Sequence, residues 1–144
     1  MSTTLMDRFA VVIDAWTQRK DIDAVLAAMT EDVVWYPAVG VMPPMHGKAA
    51  VRETLERLSG QVARSHWHVV RHAEADDCLF LEGVDRNELV SGAVATVPYM
   101  GIVDFEAGLI RGWRDYLDGG LFGRAMAGKA LPEHVAPLIG AADG

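Results

Sequence analysis

The feature that most constrains the fold is a series of long strand-like runs in the second half of the chain, separated by short turns. The predicted strands cover residues 62–73, 78–89, 93–105 and 109–117. Turn-forming residues, mainly Asp, Ser and Gly, lie between them at 76–77, 91–92 and 107–108. Because strands joined by such short turns pair with their neighbours, the sequence predicts an antiparallel meander. Pro98 within the third run cannot donate a ladder hydrogen bond, so we expect a sheet edge or a bulge there.

A helical pattern precedes these strands. Apolar side chains recur at helical spacing from Leu5 to Trp16, with Thr3 or Thr4 available as the N-cap. Asp21 is predicted to cap a second, shorter helix whose apolar residues are Ile22, Val25, Leu26 and Met29. A third helix is predicted over residues 48–58. Helices followed by a twisted sheet predict the α+β class, as a cone-shaped fold of about three N-terminal helices packed on a curved, mainly antiparallel sheet.

The composition favours one globular domain. The 144 residues are 51% hydrophobic and 23% charged, which suits a single small-molecule-pocket domain over residues 1–144. We expect its core at about residues 5–120, with a C-terminal tail at 121–144 that caps the pocket. A net charge of −7 disfavours nucleic acid and anionic membranes as partners. No apolar run is long enough to span a membrane, the N-terminus lacks a signal-peptide pattern, and a single cysteine fits a reducing cytoplasm.

The strand-like segment at residues 112–118 carries an unusual acid. Side chains alternate between the two faces of a strand, so Trp113, Asp115 and Leu117 share one face. A carboxylate between two large apolar neighbours is either paired or placed where its pKa is shifted for proton transfer. The alternative interpretation is an exposed Asp115 on the outer sheet face, or an ion pair with Arg114.

A second acid is predicted on the run at residues 78–89, where Leu81, Gly83 and Asp85 share a face. If Asp85 and Asp115 both point into the cone, the two carboxyls cannot both ionise cheaply, and one keeps its proton. One residue type then supplies both an acid and a base. An outward-facing Asp85, or one paired with Arg86, is the alternative.

The interior of the cone is the natural site for a small apolar ligand. A β-rich run at residues 33–36 ends at Pro37, and the loop at residues 38–47 that follows is rich in Val and Met. Because loops are usually polar, we expect this one to line or cover the pocket, through residues such as Met45, or else to pack on the core.

Two tyrosines are candidate hydrogen-bond donors to a water or a substrate oxygen. Tyr36 ends the first strand beside the apolar loop, and Tyr99, two residues after Val97, is placed to reach the same space. A core or rim tyrosine with a satisfied hydroxyl is the common alternative for each.

The remaining reactive side chains give weaker signals. Cys78 begins an apolar strand and is interpreted as an inert buried thiol. His66 and His68 share a strand face at a spacing that metal sites use, but no third ligand is fixed, so no metal is predicted. With His72 they are expected to form a polar outer face or a subunit interface. The sequence contains no phosphate-binding loop and no nucleophile-elbow motif, and we expect no cofactor.

Three segments carry a resemblance to a known family. They are Asp21-Ile22-Asp23-Ala24 leading to Thr30-Glu31-Asp32-Val33, His46-Gly47-Lys48-Ala49-Ala50-Val51, and Gly112-Trp113-Arg114-Asp115-Tyr116-Leu117-Asp118. From the first helix through Asp118, the chain resembles the nuclear-transport-factor-two-like superfamily, whose members include SnoaL-type polyketide cyclases and ketosteroid isomerases. The third segment is most similar to the limonene-1,2-epoxide hydrolase family.

The resemblance to the epoxide hydrolases implies a cofactor-independent enzyme that adds water to a small apolar epoxide. It implies that Asp115 is the base on the water, Asp85 the acid on the epoxide oxygen and Tyr36 a water-positioning hydroxyl. The expected substrate-binding residues are Trp113, Tyr99, Leu81, Val97, Leu117 and Met45. The superfamily also implies a homodimer through the outer sheet face. The family's arginine between the two acids corresponds to Gly83 here, and its asparagine falls near Ala38.

Two other functions remain open from the sequence. The missing arginine favours a proton-shuttling isomerase or a polyketide-cyclase-like enzyme, in which one carboxylate moves a proton and donors hold an enolate. The base that ketosteroid isomerases carry after their first strand is not found, since Pro37-Ala38 stands there. A non-catalytic module that binds a lipid-like ligand is the third hypothesis, because a fold does not fix a function.

Overall fold

The computed structural model describes residues 3–140. Its elements in chain order are α1 (Leu5–Arg19), α2 (Ile22–Ala27), β1 (Met29–Tyr36), β2 (Met45–His46), α3 (Lys48–Gln61), β3 (Val62–Ala75), β4 (Cys78–Leu89), β5 (Val94–Glu106), β6 (Leu109–Tyr116), α4 (Gly119–Met126), a 3-10 turn (Glu133–Val135) and α5 (Ala136–Gly140). The helices pack against a curved six-stranded sheet, which confirms the predicted α+β class. Within the described range, the helices are too short or too polar to cross a membrane.

The sheet has the strand order β2-β1-β6-β5-β4-β3. The long strands β3 to β6 form the predicted antiparallel meander. β1 then pairs in parallel with β6, and the short β2, which the sequence did not predict, pairs with β1. As a result, β6 is a central strand with a neighbour on each side. The backbone oxygen of Asp115 at its end accepts a hydrogen bond from Val39 N–H at 2.9 Å, which fixes the apolar loop beside that acid.

Pro98 lies in β5 opposite Val84 of β4, with no shift of register around it. β5 is a central strand, but its ladder with β6 begins only at Met100. Pro98 therefore occupies a stretch where one side of β5 has no paired strand, as the edge interpretation requires. The alternative prediction of a bulge at this proline is wrong.

Local sequence explains where the first two helices begin. The Thr4 side chain accepts a hydrogen bond from Asp7 N–H, and the Asp7 carboxylate accepts one from Thr4 N–H, a reciprocal capping box at the start of α1. Asp21 caps α2, as predicted. Met29, predicted on the second helix, instead begins β1, because the strand extends back to pair with Ile110 of β6.

The core lies between the helices and one face of the sheet. Phe9, Val12 and Trp16 of α1 and Leu55 of α3 are fully or nearly buried against this face. Burial of each such large side chain contributes roughly 1.5–3 kcal/mol relative to leaving it exposed. The helices are thereby held over the middle of the sheet, where the candidate site is found.

A bulge in β6 decides which of its residues face the core. The strand contains one extra residue relative to β5, near Arg111. A bulge shifts the side-chain alternation by one position. Ile110 before the bulge and both Trp113 and Asp115 after it consequently face inward. In a regular strand, the face of Ile110 would carry Arg114 instead.

Candidate active site

A cavity of about 680 Å³ lies between the helices and the inner face of the sheet. This volume is within the range of roughly 300–1,000 Å³ found for sites that enclose small ligands. Its described lining is mostly apolar, and its ionisable residues are Asp85, Asp115 and Tyr99, with no contribution from lysine, arginine or histidine. The cavity therefore suits an uncharged ligand and contains acidic groups without a cationic partner.

All four tryptophans of the chain line this cavity. Trp35 and Trp113 stack with ring centroids 4.1 Å apart and planes 8° from parallel. Phe9 and Trp67 meet Trp113 edge-on, at 4.9 and 5.8 Å. Trp67 also stacks against Trp16 at 6.4 Å. Such contacts between aromatic rings add to the stability gained by burial. Together these rings form an aromatic wall of the cavity.

Asp115 lies beside Trp113 of this aromatic wall and is only 7% exposed. The Trp113 indole N–H donates a hydrogen bond to its Oδ1 at 3.0 Å. Gly101 lies directly opposite on β5, and a Cβ at that position would come within 2.6 Å of the same oxygen. A glycine opposite the acid is therefore what leaves room for the carboxyl on the inner face.

Asp85 reaches the same cavity from β4 and is half-buried. Neither acid is paired with the arginine next to it. Arg114 bonds Asp104 at 2.7 Å on the other face of the sheet, and Arg86 approaches Glu88 at 3.9 Å. The ion-pair and outward-facing alternatives for the two aspartates are therefore wrong.

The two carboxyls resist ionisation because they are removed from water. Burial raises the pKa of Asp85 to about 7. Burial, and then the charge of Asp85, raise the pKa of Asp115 well above its ordinary value, while the hydrogen bond from Trp113 opposes this rise. Since a charge on either carboxyl disfavours a charge on the other, the pair titrates as a unit and retains a proton near neutral pH.

Tyr99 lies between the acids on the strand that separates them. Asp85 is opposite Val97 of β5 and Asp115 is opposite Gly101, so Tyr99 occupies the position midway between these two. Burial, and then the negative charges of the two acids, raise the pKa of the Tyr99 hydroxyl. The hydroxyl therefore stays protonated and remains a hydrogen-bond donor.

Gly83, which the resemblance to the epoxide hydrolases aligns with their arginine, makes room for Tyr99. Gly83 faces Tyr99 across the β4–β5 ladder. A Cβ at Gly83 would lie 2.6 and 2.7 Å from two ring carbons of Tyr99 and 2.5 Å from the backbone oxygen of His68. The ring of Tyr99 thus covers the inner face of Gly83 and fills the space that a side chain there would need.

A hydrogen-bonded pair of polar residues also lines the cavity. Ser65 of β3 is 4% exposed, and its hydroxyl donates to Oδ1 of Asn87 on β4 at 2.7 Å. Asn87 follows Asp85 by two residues and lies on the same strand face. This pair is therefore a polar feature of the cavity in addition to the acids.

The apolar loop and α4 complete the wall of the cavity. Pro37, Ala38, Met42 and Met45 line the cavity, so the pocket-lining interpretation of the loop holds. Phe122 and Met126 of α4 also line it. The N-cap of α4 is Asp118, which accepts a hydrogen bond from Leu121 N–H at 3.0 Å. The last residues of the predicted tail, 141–144, lie outside the described part of the chain.

Seven of the nine residues predicted for the site line the cavity: Asp115, Asp85, Trp113, Tyr99, Val97, Leu117 and Met45. Two are placed elsewhere. Leu81 is 1% exposed and lies in the core among the other buried side chains. Tyr36 alternates with Trp35, which faces the cavity, so the tyrosine lies on the opposite face of β1. The prediction that Tyr36 reaches the cavity is therefore wrong.

The lining residues that are not predicted from the sequence include Trp35, which is the neighbour of Tyr36, and the hydrogen-bonded pair Ser65 and Asn87. The signal for Trp35 was present, because alternation along β1 gives the cavity either Trp35 or Tyr36 and the apolar residue is the better core candidate. Ser65 and Asn87 gave no such signal. They lie on different strands, and only the pairing of β3 with β4 brings them together.

The fold is shared with solved structures of low sequence identity. A nuclear-transport-factor-two-like protein of unknown function from Burkholderia pseudomallei is 24% identical, with a TM-score of 0.74 over 87% of this chain and 98% of that one. An epoxide hydrolase from M. tuberculosis that is similar to limonene-1,2-epoxide hydrolase is 22% identical, with a TM-score of 0.74 over 85% and 89%. A protein with a ketosteroid isomerase-like fold from Catenulispora acidiphila, in complex with trimethylamine, is 18% identical, with a TM-score of 0.73 over 90% and 96%.

These likenesses establish the fold, and the family follows from sequence. A comparison with curated proteins finds no match. The family model described as a SnoaL-like domain matches residues 10–113, which is most of the chain and includes every strand of the sheet in whole or in part. The chain therefore belongs to the SnoaL-like family of the nuclear-transport-factor-two-like superfamily.

Proposed function

We propose that the cavity is the active site of a cofactor-independent enzyme that adds water to a small, uncharged, largely apolar epoxide. The observation that carries this proposal is a pair of buried carboxyls that retain a proton in a cavity without a cationic partner. Burying acids in this way costs stability. Such groups, in a cavity of ligand size, are characteristic of sites where protons are transferred.

The resemblance to the epoxide hydrolases and one hydrogen bond support the assignment of the two roles. The N–H donor of Trp113 stabilises the anion of Asp115, which makes Asp115 the base. Burial raises the pKa of both carboxyls, so the pair keeps one proton, and the mechanism places that proton on Asp85 as the acid. Asp115 takes a proton from water as the water oxygen attacks an epoxide carbon. The carbon–oxygen bond breaks, the epoxide oxygen takes the proton of Asp85, and return of the proton from Asp115 to Asp85 completes the cycle.

Tyr99 supports this chemistry without an arginine. A cation between the two acids would lower the pKa of both. A neutral hydroxyl leaves the shared proton in place and can donate a hydrogen bond to the ligand. The replacement of the arginine position by Gly83 and a covering tyrosine ring is therefore compatible with one carboxyl acting as an acid near neutral pH.

The same replacement favours a second candidate function, a proton-shuttling isomerase or cyclase. A tyrosine and a protonated aspartic acid can together donate hydrogen bonds to an enolate oxygen, while the second aspartate moves the proton. In this chain those groups are Tyr99, Asp85 and Asp115. A substrate comparison is needed to separate the two reactions, because both use the same acid pair.

The test supplies an epoxide and a β,γ-unsaturated ketone to the same protein preparations. Limonene oxide and cyclohexene oxide are incubated in H₂¹⁸O and analysed for diols that carry one labelled oxygen. In parallel, 5-androstene-3,17-dione is followed by the ultraviolet absorbance of the conjugated ketone. The proteins are the wild type, Asp115→Asn, Asp85→Asn and, as a matched control, Asp32→Asn on the exposed side of β1.

The proposal predicts labelled diol from the wild type and from the Asp32 variant. Loss of the acid or the base should lower the rate about 10²–10⁴-fold in each site variant. Isomerisation of the ketone without diol formation would replace the epoxide proposal by the second candidate. If neither substrate is turned over, or if all four proteins turn them over equally, the acid pair does not catalyse either reaction.

A further inference from the structure

The polar pair formed by Ser65 and Asn87 is not used by the acid–base chemistry. The Ser65 hydroxyl donates to Oδ1 of Asn87 at 2.7 Å. Since the amide oxygen is engaged, the Nδ2 group carries the two free donors of the amide. Within the described part of the chain, no acceptor contacts Nδ2, although Asn87 lines the cavity. The pair therefore places an amide N–H donor in the lining of a mostly apolar cavity.

Its position relative to the acids is set by β4. Asp85 and Asn87 are two residues apart on one face of the strand, which separates them by roughly 6.6 Å along it. Beyond Asn87, the lining continues to Gln61, Val90 and Ser91, which are all exposed. We call this exposed end the cavity mouth. Asn87 thus lies between the acids and the mouth.

A donor in this place is costly unless something accepts its hydrogen bond. Water can satisfy it in the free protein, but an apolar ligand that fills the cavity displaces that water. An unsatisfied donor next to a bound ligand would cost roughly 1–3 kcal/mol. Sites built around such donors reject analogues that lack the matching acceptor. A ligand with oxygen only at its reacting end would leave Asn87 in this unfavourable state.

We propose that Ser65 and Asn87 form a second substrate-binding subsite, which recognises a carbonyl, ether or hydroxyl oxygen of an uncharged ring compound. The ligand then carries two oxygens, one at the acids and one about two strand residues nearer the mouth. Ser65 is a positioning residue, because it acts by orienting the amide. The reaction at the first oxygen is that of the proposed function, whereas the subsite itself concerns binding and can be tested without turnover.

The test compares two neutral ligands of matched shape, 1,4-diacetylbenzene and 4-isopropylacetophenone. Both have one carbonyl for the acid end, and only the first has a carbonyl at the other end. Binding is followed by quenching of the fluorescence of the tryptophans that line the cavity. The proteins are the wild type, Asn87→Leu, Asn87→Asp and, as a control on the other face of the neighbouring strand, Thr96→Val.

The wild type is expected to bind the diketone about fivefold to tenfold more tightly than the monoketone. This ratio corresponds to the free energy of one hydrogen bond in a partly dehydrated site. Asn87→Leu should abolish the preference while retaining the monoketone affinity. Asn87→Asp keeps an acceptor for Ser65 but replaces the donor, so it should also lose the preference, whereas Thr96→Val should keep it. A preference that survives in both Asn87 variants, or a wild type that shows none, would overturn the subsite. Because the acids are intact throughout, either result is independent of whether epoxides are hydrated.

Discussion

Replacing Asp85 by asparagine is predicted to stabilise the protein at alkaline pH and to change its stability little at acidic pH. The carboxyl has a pKa of about 7 in the folded protein, against about 3.9 in an unfolded chain. The folded state therefore binds this proton more tightly than the unfolded state. Its contribution to stability is fully present below about pH 4 and is lost as pH rises toward 7. The difference between the two pKa values corresponds to about 4 kcal/mol at pH 8.

The assay is urea unfolding at pH 4, 6 and 8, followed by tryptophan fluorescence. Asp85→Asn has no charge to bury, so its free energy of unfolding should exceed that of the wild type by up to about 4 kcal/mol at pH 8. At pH 4 the two proteins should agree closely. The exposed Asp32→Asn variant controls for the general effect of removing one negative charge. An Asp85→Asn difference that is the same at pH 4 and pH 8 would refute the claim that the folded protein holds this proton.

Three further predictions concern the groups around the acids. Gly83→Ala should lower the free energy of unfolding by about 1–3 kcal/mol in the same urea assay, because its Cβ would lie 2.5 Å from a β3 carbonyl oxygen. The control variant Gly123→Ala lies in open space on α4 and should not destabilise the protein. Trp113→Phe removes the donor to Asp115 and raises the pKa of that acid, so the acidic limb of the kcat/KM profile should move to higher pH. Asp118→Ala removes the N-cap of α4 at a cost of about 0.5–2 kcal/mol, and should speed amide exchange in that helix and raise KM.

The meander was predictable because strand alternation and turn chemistry agree along the whole second half of the chain. The predicted run at residues 78–89 coincides with β4, and turns lie at 76–77, 91–92 and 107–108 as predicted. The parallel contact of β1 with β6 was not predictable from local sequence, because it joins segments from opposite ends of the chain. For the same reason the sequence places Met29 on the second helix, whereas Met29 begins β1.

Asp85 and Asp115 are predictable because a polar residue on an apolar strand face is visible in the sequence. The same rule failed for Tyr36, where the choice between two adjacent aromatic residues depends on which face of β1 is buried. The sequence predicts Tyr99 near the site, but its position over Gly83 depends on the register of β4 against β5. The bulge near Arg111, which turns Asp115 inward together with Ile110, has no distinct sequence signal.

The most direct test of the shared-proton site is an NMR titration of the protein with ¹³C-labelled aspartate carboxyls, assigned with the Asp85→Asn and Asp115→Asn variants. The two site carboxyls are predicted to change charge well above the usual range of aspartate, with one proton retained by the pair near pH 7. Removing either carboxyl should lower the pKa of the other, since the repulsion between them disappears. Two carboxyls that are fully ionised at pH 5 and titrate independently would contradict the assignment of an acid and a base to this pair.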